Sequence, residues 1–280
     1  MKEFVWLNDE LTPLDQARVS VNDRGFQYGD GLFETLRAEA GTIFFLMEHL
    51  ARLQKSAEVF RLIFPAGFPW EERLKRLLAA NNLEHCPARV KILLSRGEVP
   101  GLGLPEAGRP TLVIWAQPYA PPPPSEYASG WPVAVFPEPR LSFVGRHKSL
   151  NYLFYLAARQ YALDRGAREA IILEADGLVS EGSATSLIYL RQGKYFTPAA
   201  TSALPGVTVA ALSRGLSRRS ISLVATPTTL EQLQNAEGLW LANALMGVMP
   251  VAAIDAQKIP LADQSAFLQE ILWAAARREL

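Results

Sequence analysis

Cysteine is almost missing from this 280-residue chain. Cys86 stands alone, so no internal disulfide can form. Histidine is nearly as scarce, and His49, His85 and His147 offer no Cys/His cluster for a structural zinc ion; no metal is expected. An excess of one charge is also lacking. Lys plus Arg number 28 and Asp plus Glu number 28, a formal net charge of zero. That balance argues against a nucleic-acid binder working by broad phosphate neutralisation, but leaves room for one small basic pocket. No apolar run approaches the roughly 18 residues of a membrane span. The opening stretch MKEFVWLNDELTPLD has no apolar core of the signal-peptide kind. The expectation is a soluble, cytoplasmic protein with a sizeable core, with neither nucleic acid nor membrane as partner. Paired carboxylates and a nucleophile-elbow motif are absent too. The glycine-bearing stretch 97–103 (GEVPGLG) lacks the Lys-Ser/Thr of a phosphate loop and does not fit a dinucleotide fingerprint.

What is present is a globular composition, 49% hydrophobic and 10% aromatic, long enough for one large domain or two ordinary ones. The sharpest break is Ala120-Pro121-Pro122-Pro123-Pro124-Ser125. Consecutive prolines lack N–H donors and favour an extended chain, so neither helix nor central strand is expected there. An N-terminal α/β domain over 1–117, a linker over 118–130 and a C-terminal α/β domain over 131–280 follow. A long surface loop within one domain remains the alternative. Strand-type residues occupy Lys2–Leu7, Leu32–Ala38, Arg89–Ser95 and Thr111–Trp115. Apolar residues at helical spacing predict helices over Phe45–Phe60, Trp70–Leu83, Val207–Arg218 and Gln264–Glu279. A further helix is predicted from Ser149, as N-cap, to Leu163.

The chain has seven lysines, and one stands out. Lys148 directly precedes the expected helix start at Ser149 and follows Arg146 and His147. A helix N-terminus and basic neighbours disfavour an ammonium, and a neutral amine is what Schiff-base chemistry needs. Spacing alone leaves an ordinary surface lysine open. Leu204-Pro205-Gly206-Val207-Thr208 leads into a helix, where free N–H groups and a glycine can hold a phosphate; it is equally a plain helix start. Arg52 lies beside the apolar stripe of its helix, as a snorkelling structural residue or a phosphate clamp. Glu181, in Val179-Ser180-Glu181-Gly182, is either a solvated loop carboxylate or one facing a protonated heterocycle.

Taken together, six segments resemble the class IV pyridoxal-phosphate enzymes. They are 23–35 (DRGFQYGDGLFET), 48–53 (EHLARL), 147–153 (HKSLNYL), 179–182 (VSEG), 203–208 (ALPGVT) and 243–251 (NALMGVMPV). Each is short, and they come in the family's order along nearly the whole chain. The resemblance implies a two-domain α/β fold of the D-amino-acid aminotransferase type, with pyridoxal 5'-phosphate between the domains, and a homodimer. It implies that Lys148 binds the cofactor aldehyde covalently and that Glu181 keeps the pyridine nitrogen protonated so that the ring accepts carbanion electrons. It also implies that Arg52 and the N–H groups of Val207 and Thr208 hold the phosphate. Ala244 falls where transaminases carry a phosphate-binding threonine, so only its backbone can serve. Tyr152 matches a tyrosine that touches the cofactor's phenolic oxygen, though one residue closer to the lysine. Phe33, Arg96, Asn243 and Leu245 fall on the substrate side.

Within the family, Thr35 and the 243–251 stretch resemble 4-amino-4-deoxychorismate lyases, where a threonine assists proton transfer. The resemblance therefore favours a lyase that makes 4-aminobenzoate and pyruvate for folate biosynthesis, with Lys148 and Thr35 catalytic. The alternative is an aminotransferase for branched-chain or D-amino acids. D-amino-acid enzymes follow the Ser95-Arg96-Gly97 segment with an Arg and a His that trap the substrate carboxylate, and here those positions are Gly101 and Gly103. A binding protein that kept the fold and lost catalysis is the third reading.

Overall fold

The computed structural model describes residues 3–277 apart from 107 and 141. Two compact units emerge, Met1–Pro121 with His147–Asn151, and Pro122–Arg146 with Tyr152–Leu280. In the first, β1 (Phe4–Leu7) and β2 (Glu10–Pro13) precede a short helix, α1 (Arg24–Tyr28). Next come β3 (Gly31–Glu39), β4 (Thr42–Ile43), α2 (Leu46–Val59), α3 (Trp70–Ala80), β5 (Ala88–Ser95) and β6 (Thr111–Pro118). The strands form one antiparallel sheet in the order β2-β1-β6-β5-β3-β4. Alternation along β3 turns Leu32, Leu36 and Ala38 toward Leu50, Leu53 and Ala57 of α2. Val90, Ile92, Leu94 and Ile114 extend this core to Leu74, Leu77 and Leu78 of α3. Each such buried leucine contributes about 2 kcal/mol.

The second unit opens with α4 (Pro124–Ser129), β7 (Trp131–Val135), a single 3₁₀ turn (Phe143–Arg146) and α5 (Leu153–Leu163). Then follow β8 (Glu169–Leu173), β9 (Val179–Gly182), β10 (Ser186–Arg191), β11 (Lys194–Pro198) and α6 (Val207–Ser217). The chain ends through β12 (Leu223–Thr226), α7 (Leu230–Gln234), β13 (Gly238–Asn243), β14 (Gly247–Ile254), β15 (Gln257–Lys258) and α8 (Gln264–Ala276). A mixed sheet runs β12-β11-β10-β13-β14-β7-β8-β9, with β15 on β14. Small residues let α5 lie close to it: Ala158 and Ala162 meet Ala134, Ala170 and Ile172. Helices α6 and α8 pack on one another and bury Leu212, Leu216, Leu268 and Leu272. Among the described residues no helix is long and apolar enough to cross a membrane.

Three expectations need correction. The proline run is not helix-free, because α4 begins at Pro124; a first helical residue needs no N–H donor, so proline is accepted there. Pro123 before it is extended, with φ −67° and ψ 156°. The helix expected from Ser149 starts four residues later, at Leu153 with Tyr152 as N-cap. The segment 147–151 instead joins the first unit, whereas the sequence reading placed everything from 131 onward in one domain. Lys2 and Glu279, the outer ends of two predicted elements, lie outside the described residues.

Candidate active site

Lys148 sits on a strand-like segment laid along the edge of β3. Phe33 N donates to Lys148 O at 2.8 Å and Leu150 N to Gly31 O at 2.9 Å, with Ser149 bridged to Leu32. This close approach needs a glycine, since a Cβ at residue 31 would stand 2.7 Å from Leu94 O and from Leu150 Cδ1. The His147 ring fixes the other side, with Nδ1 2.9 Å from Ser56 Oγ on α2 and the Phe60 ring edge-on at 4.9 Å. Lys148 Nζ lies 4.7 Å from the Phe33 ring centroid, and Lys91 Nζ lies 4.9 Å from the same ring. Burial, helped by Arg89, pushes the Lys91 ammonium below its ordinary value. Thr35 pairs across the strands with Lys91, so Phe33, Thr35, Lys91 and Lys148 form one neighbourhood.

Arg52 is held by a residue the sequence reading missed. Its Nε donates to Glu34 Oε1 at 2.8 Å and its Nη2 to Oε2 at 2.6 Å, a two-pronged pair that fixes the guanidinium plane. His49 Nδ1 lies 2.7 Å from Glu34 Oε2. Burial alone would raise the Glu34 carboxyl, but Arg52 and His49 outweigh it and hold it at about 2. Burial also pushes His49 below its ordinary value against the pull of Glu34. The neutral ring then donates from Nδ1, and Nε2 is a buried acceptor without a hydrogen-bond partner.

Arg96 is not a substrate-carboxylate residue. It is wholly buried. Its Nε and Nη2 bind Asp30, its Nη1 binds Arg61 O and Pro105 O, and its Nη2 also binds Phe60 O. With five contacts the five N–H donors of a guanidinium are all engaged. Arg24 shares Asp30 and holds Gly101 O and Gly103 O.

In the second unit, Glu181 is buried on β9. Its Oε1 accepts from the Tyr155 hydroxyl at 2.5 Å and its Oε2 from Leu204 N at 3.1 Å. Val207 and Thr208 are buried in the first turn of α6, whose N-cap Gly206 supplies no side chain to the N–H groups there. A Cβ at 206 would stand 2.5 Å from Ser186 Oγ. A cavity of about 240 Å³ beside Glu181 is lined by Ser180, Ser186, Thr197, Leu204 and Val209 among others, and lies behind this turn.

Two other expectations change. The Tyr152 hydroxyl donates to Ser183 O at 2.9 Å, so its proton is engaged by backbone rather than offered to a cofactor oxygen. Burial, with Glu181 and Glu169, raises its phenol above the ordinary value. Asn243 is a turn-builder rather than a substrate residue. Its Oδ1 accepts from Leu245 N at 3.0 Å and Met246 N at 2.9 Å, and its Nδ2 donates to Ala184 O at 3.3 Å. Ala244 and Leu245 are half-buried in that turn. Fully buried Glu169 secures the neighbouring turn through Ser183 N, Ser183 Oγ and Thr185 Oγ1, and pairs with Arg159 at 2.8 Å.

Within each unit taken by itself, these residues have chemistry that fits a part of pyridoxal phosphate. Glu181 is a buried carboxylate whose oxygens accept from Tyr155 and Leu204, the acceptor chemistry that a protonated ring nitrogen needs. The first turn of α6 is a glycine-entered set of N–H groups suited to a phosphate. Lys148 is an amine on a fixed edge, and Arg52 is a guanidinium held in plane.

The family model for amino-transferase class IV matches residues 31–254. A putative branched-chain-amino-acid aminotransferase of Methanocaldococcus jannaschii is 32% identical over 91% of this chain and 89% of its own length. The D-alanine aminotransferase of Bacillus licheniformis is 29% identical over 91% of this chain and 89% of its own. Among solved structures, the branched-chain aminotransferase of Thermoproteus uzoniensis with norvaline superposes with a TM-score of 0.87 at 25% identity, covering 100% of this chain and 96% of that one. Class IV aminotransferases use pyridoxal phosphate, and another branched-chain aminotransferase of the same fold carries pyridoxamine 5'-phosphate. The relatives overturn the expected aminodeoxychorismate lyase and its link to folate synthesis, since they are branched-chain and D-alanine aminotransferases. Part of the lyase resemblance rested on Asn243, whose side chain shapes a hairpin turn.

Proposed function

The chain belongs to the amino-transferase class IV family, and from that premise we propose a pyridoxal-phosphate-dependent aminotransferase for branched-chain L-amino acids and their 2-oxo acids. Lys148 carries the reading: it is an amine set against an aromatic ring on a segment fixed from two sides. Gly101 and Gly103 favour the branched-chain substrate over a D-amino acid. They have no side chain to trap a carboxylate, and their carbonyls are held by Arg24.

Bound pyridoxal phosphate supplies an electron sink for the pair left at the substrate α-carbon. Lys148 Nζ would hold its aldehyde and would serve as the base for the substrate α-proton. Glu181 keeps a proton on the ring nitrogen. Arg52 and the N–H groups of Val207 and Thr208 would hold the phosphate, and at Ala244 only the backbone would be there to serve. Phe33 and Leu245 would offer apolar surface to the substrate side chain, and Thr35, on the same face of β3 as Phe33, would supply a hydroxyl for proton relay.

A homodimer is part of the proposal. Val21, Phe26 and Leu102 of the first unit are 72%, 76% and 87% exposed, and covering such apolar surface favours association. Sedimentation of the purified protein should give twice the chain mass, and a monomer would remove this part. The single cysteine suits the cytoplasm.

The test of activity is a half-reaction. Holoenzyme mixed with L-leucine should convert its absorbance to that of the aminated cofactor and regain the original spectrum with a 2-oxo acid, while Lys148→Ala does neither. Conversion with D-alanine alone would overturn the branched-chain assignment. No conversion with any amino acid would overturn the aminotransferase.

A further inference from the structure

Tyr155 lies outside every segment that suggested a function in the sequence, yet its hydroxyl closes to 2.5 Å on Glu181. We propose that Tyr155 is a positioning residue for this enzyme: by donating to Glu181 Oε1 it sets how strongly that carboxylate competes for the ring-nitrogen proton. The inference rests on the functional reading above, in which Glu181 faces the pyridine nitrogen.

The surroundings of the ring fix the direction of the bond. Tyr155 projects from α5, on the face that carries Ala158 and Ala162 into the core. Burial, with the Glu181 charge, raises the phenol above its ordinary value, so the phenol is the donor and the carboxylate the acceptor. The ring is flanked on two sides. Tyr152 lies at 4.9 Å on a tilted plane and the Arg140 guanidinium at 4.3 Å from the centroid. A cation over a phenol ring draws charge from the oxygen and makes it a better donor. Arg140 Nη1 is itself buried without a hydrogen-bond partner, which keeps its charge unshared at that atom.

The consequence follows from the carboxylate. An oxygen pair that accepts hydrogen bonds from the protein is less basic than a bare one. Leu204 N supplies a donor on Oε2 and Tyr155 a donor on Oε1. Removing the phenol hydroxyl takes a donor from the buried carboxylate, so it draws the shared proton from the ring nitrogen. It also loses a contact that holds its plane. A phenylalanine would fill the same space, so a purely space-filling Tyr155 predicts no change.

Nitrogen-15 resonance of holoenzyme carrying ring-labelled pyridoxal phosphate reads this directly, without turnover. In Tyr155→Phe the resonance should move toward that of an unprotonated pyridine. kcat should fall about tenfold with KM within about twofold. A ring-fluorinated tyrosine placed at 155 is a more acidic phenol and a stronger donor, and should move the resonance the opposite way. An unmoved resonance and unchanged kcat in Tyr155→Phe would overturn the proposal. Should that variant fail to fold, the fluorinated protein decides, and an unmoved resonance there is equally fatal. A wild-type protein that takes up no pyridoxal phosphate would sink the functional reading and this proposal together. A wild type that binds it, with variants that leave the resonance in place, sinks only the role of Tyr155.

Discussion

Arg52 shows how a single side chain depends on another, Glu34, which lies in the 23–35 segment but has no role assigned there. Its guanidinium is aligned by Glu34, and Glu34 is ionised in the core only because Arg52 and His49 face it. Replacing Glu34 by Gln leaves a buried cation without its counter-charge and should destabilise the protein by about 3–5 kcal/mol, measured by urea unfolding. Acidity tests the same cluster. The Glu34 carboxyl, held at about 2 against 4.5, favours the folded state fully above pH 4.5, and that contribution is lost as pH falls toward 2. At roughly 1.4 kcal/mol per pH unit it amounts to about 3 kcal/mol. His49 acts earlier. Its folded value is depressed below 6.5, so unfolded chains bind the proton more readily and stability declines below pH 6.5. His49→Gln should flatten the fall between pH 6.5 and 4.5 in a series of denaturation midpoints. Arg52 was legible from its place beside an apolar stripe. Glu34 carried a signal that went unread: it occupies a core-facing position in the alternation of Leu32, Leu36 and Ala38.

At the scale of elements, local pattern and tertiary pairing compete. Ser149-Leu150-Asn151-Tyr152 resembles a helix start, but hydrogen bonds to Gly31 and Phe33 make 147–151 an edge segment of β3. Sequence periodicity reads the local preference and not the strand waiting alongside. The basic neighbours of Lys148 single it out in the chain, whereas the helix start expected beside it does not form. Gly31→Ala should prise this segment from β3, lowering stability by roughly 1–3 kcal/mol and weakening cofactor retention. Thermal melting and dialysis against cofactor-free buffer check both effects. The start of α6 was legible, because Pro-Gly before an apolar periodic run is a strong local signal. There a Cβ at 206 meets one side chain, Ser186, closely. Gly206→Ala should weaken pyridoxal phosphate binding, and adding Ser186→Ala should restore most of it, a coupling that a titration of the four proteins would expose.

For the whole molecule, the two-unit α/β organisation was legible from the proline run and the chain length, whereas the membership of 147–151 was not. The residues proposed to hold cofactor and substrate are shared out, with Phe33, Thr35, Arg52 and Lys148 in the first unit and Glu181, Val207 and Thr208 in the second. Arg96 and Asn243 carried expected substrate roles and proved to be structural. Both are polar residues whose donors and acceptors are saturated by backbone or Asp30, a property that only coordinates reveal. The subfamily preference failed for a related reason, because the resemblance that favoured a lyase mixed turn-forming residues with chemical ones.

The account turns on Lys148 as the amine that takes the cofactor. Reduction of the holoenzyme with borohydride freezes that bond, and trypsin then yields the labelled lysine in a peptide. The account predicts the added pyridoxyl phosphate mass on Lys148, in the peptide spanning 147–159 uncut at that lysine. The same mass on Lys91, which lies against the same phenylalanine ring, or on no lysine at all, would contradict it.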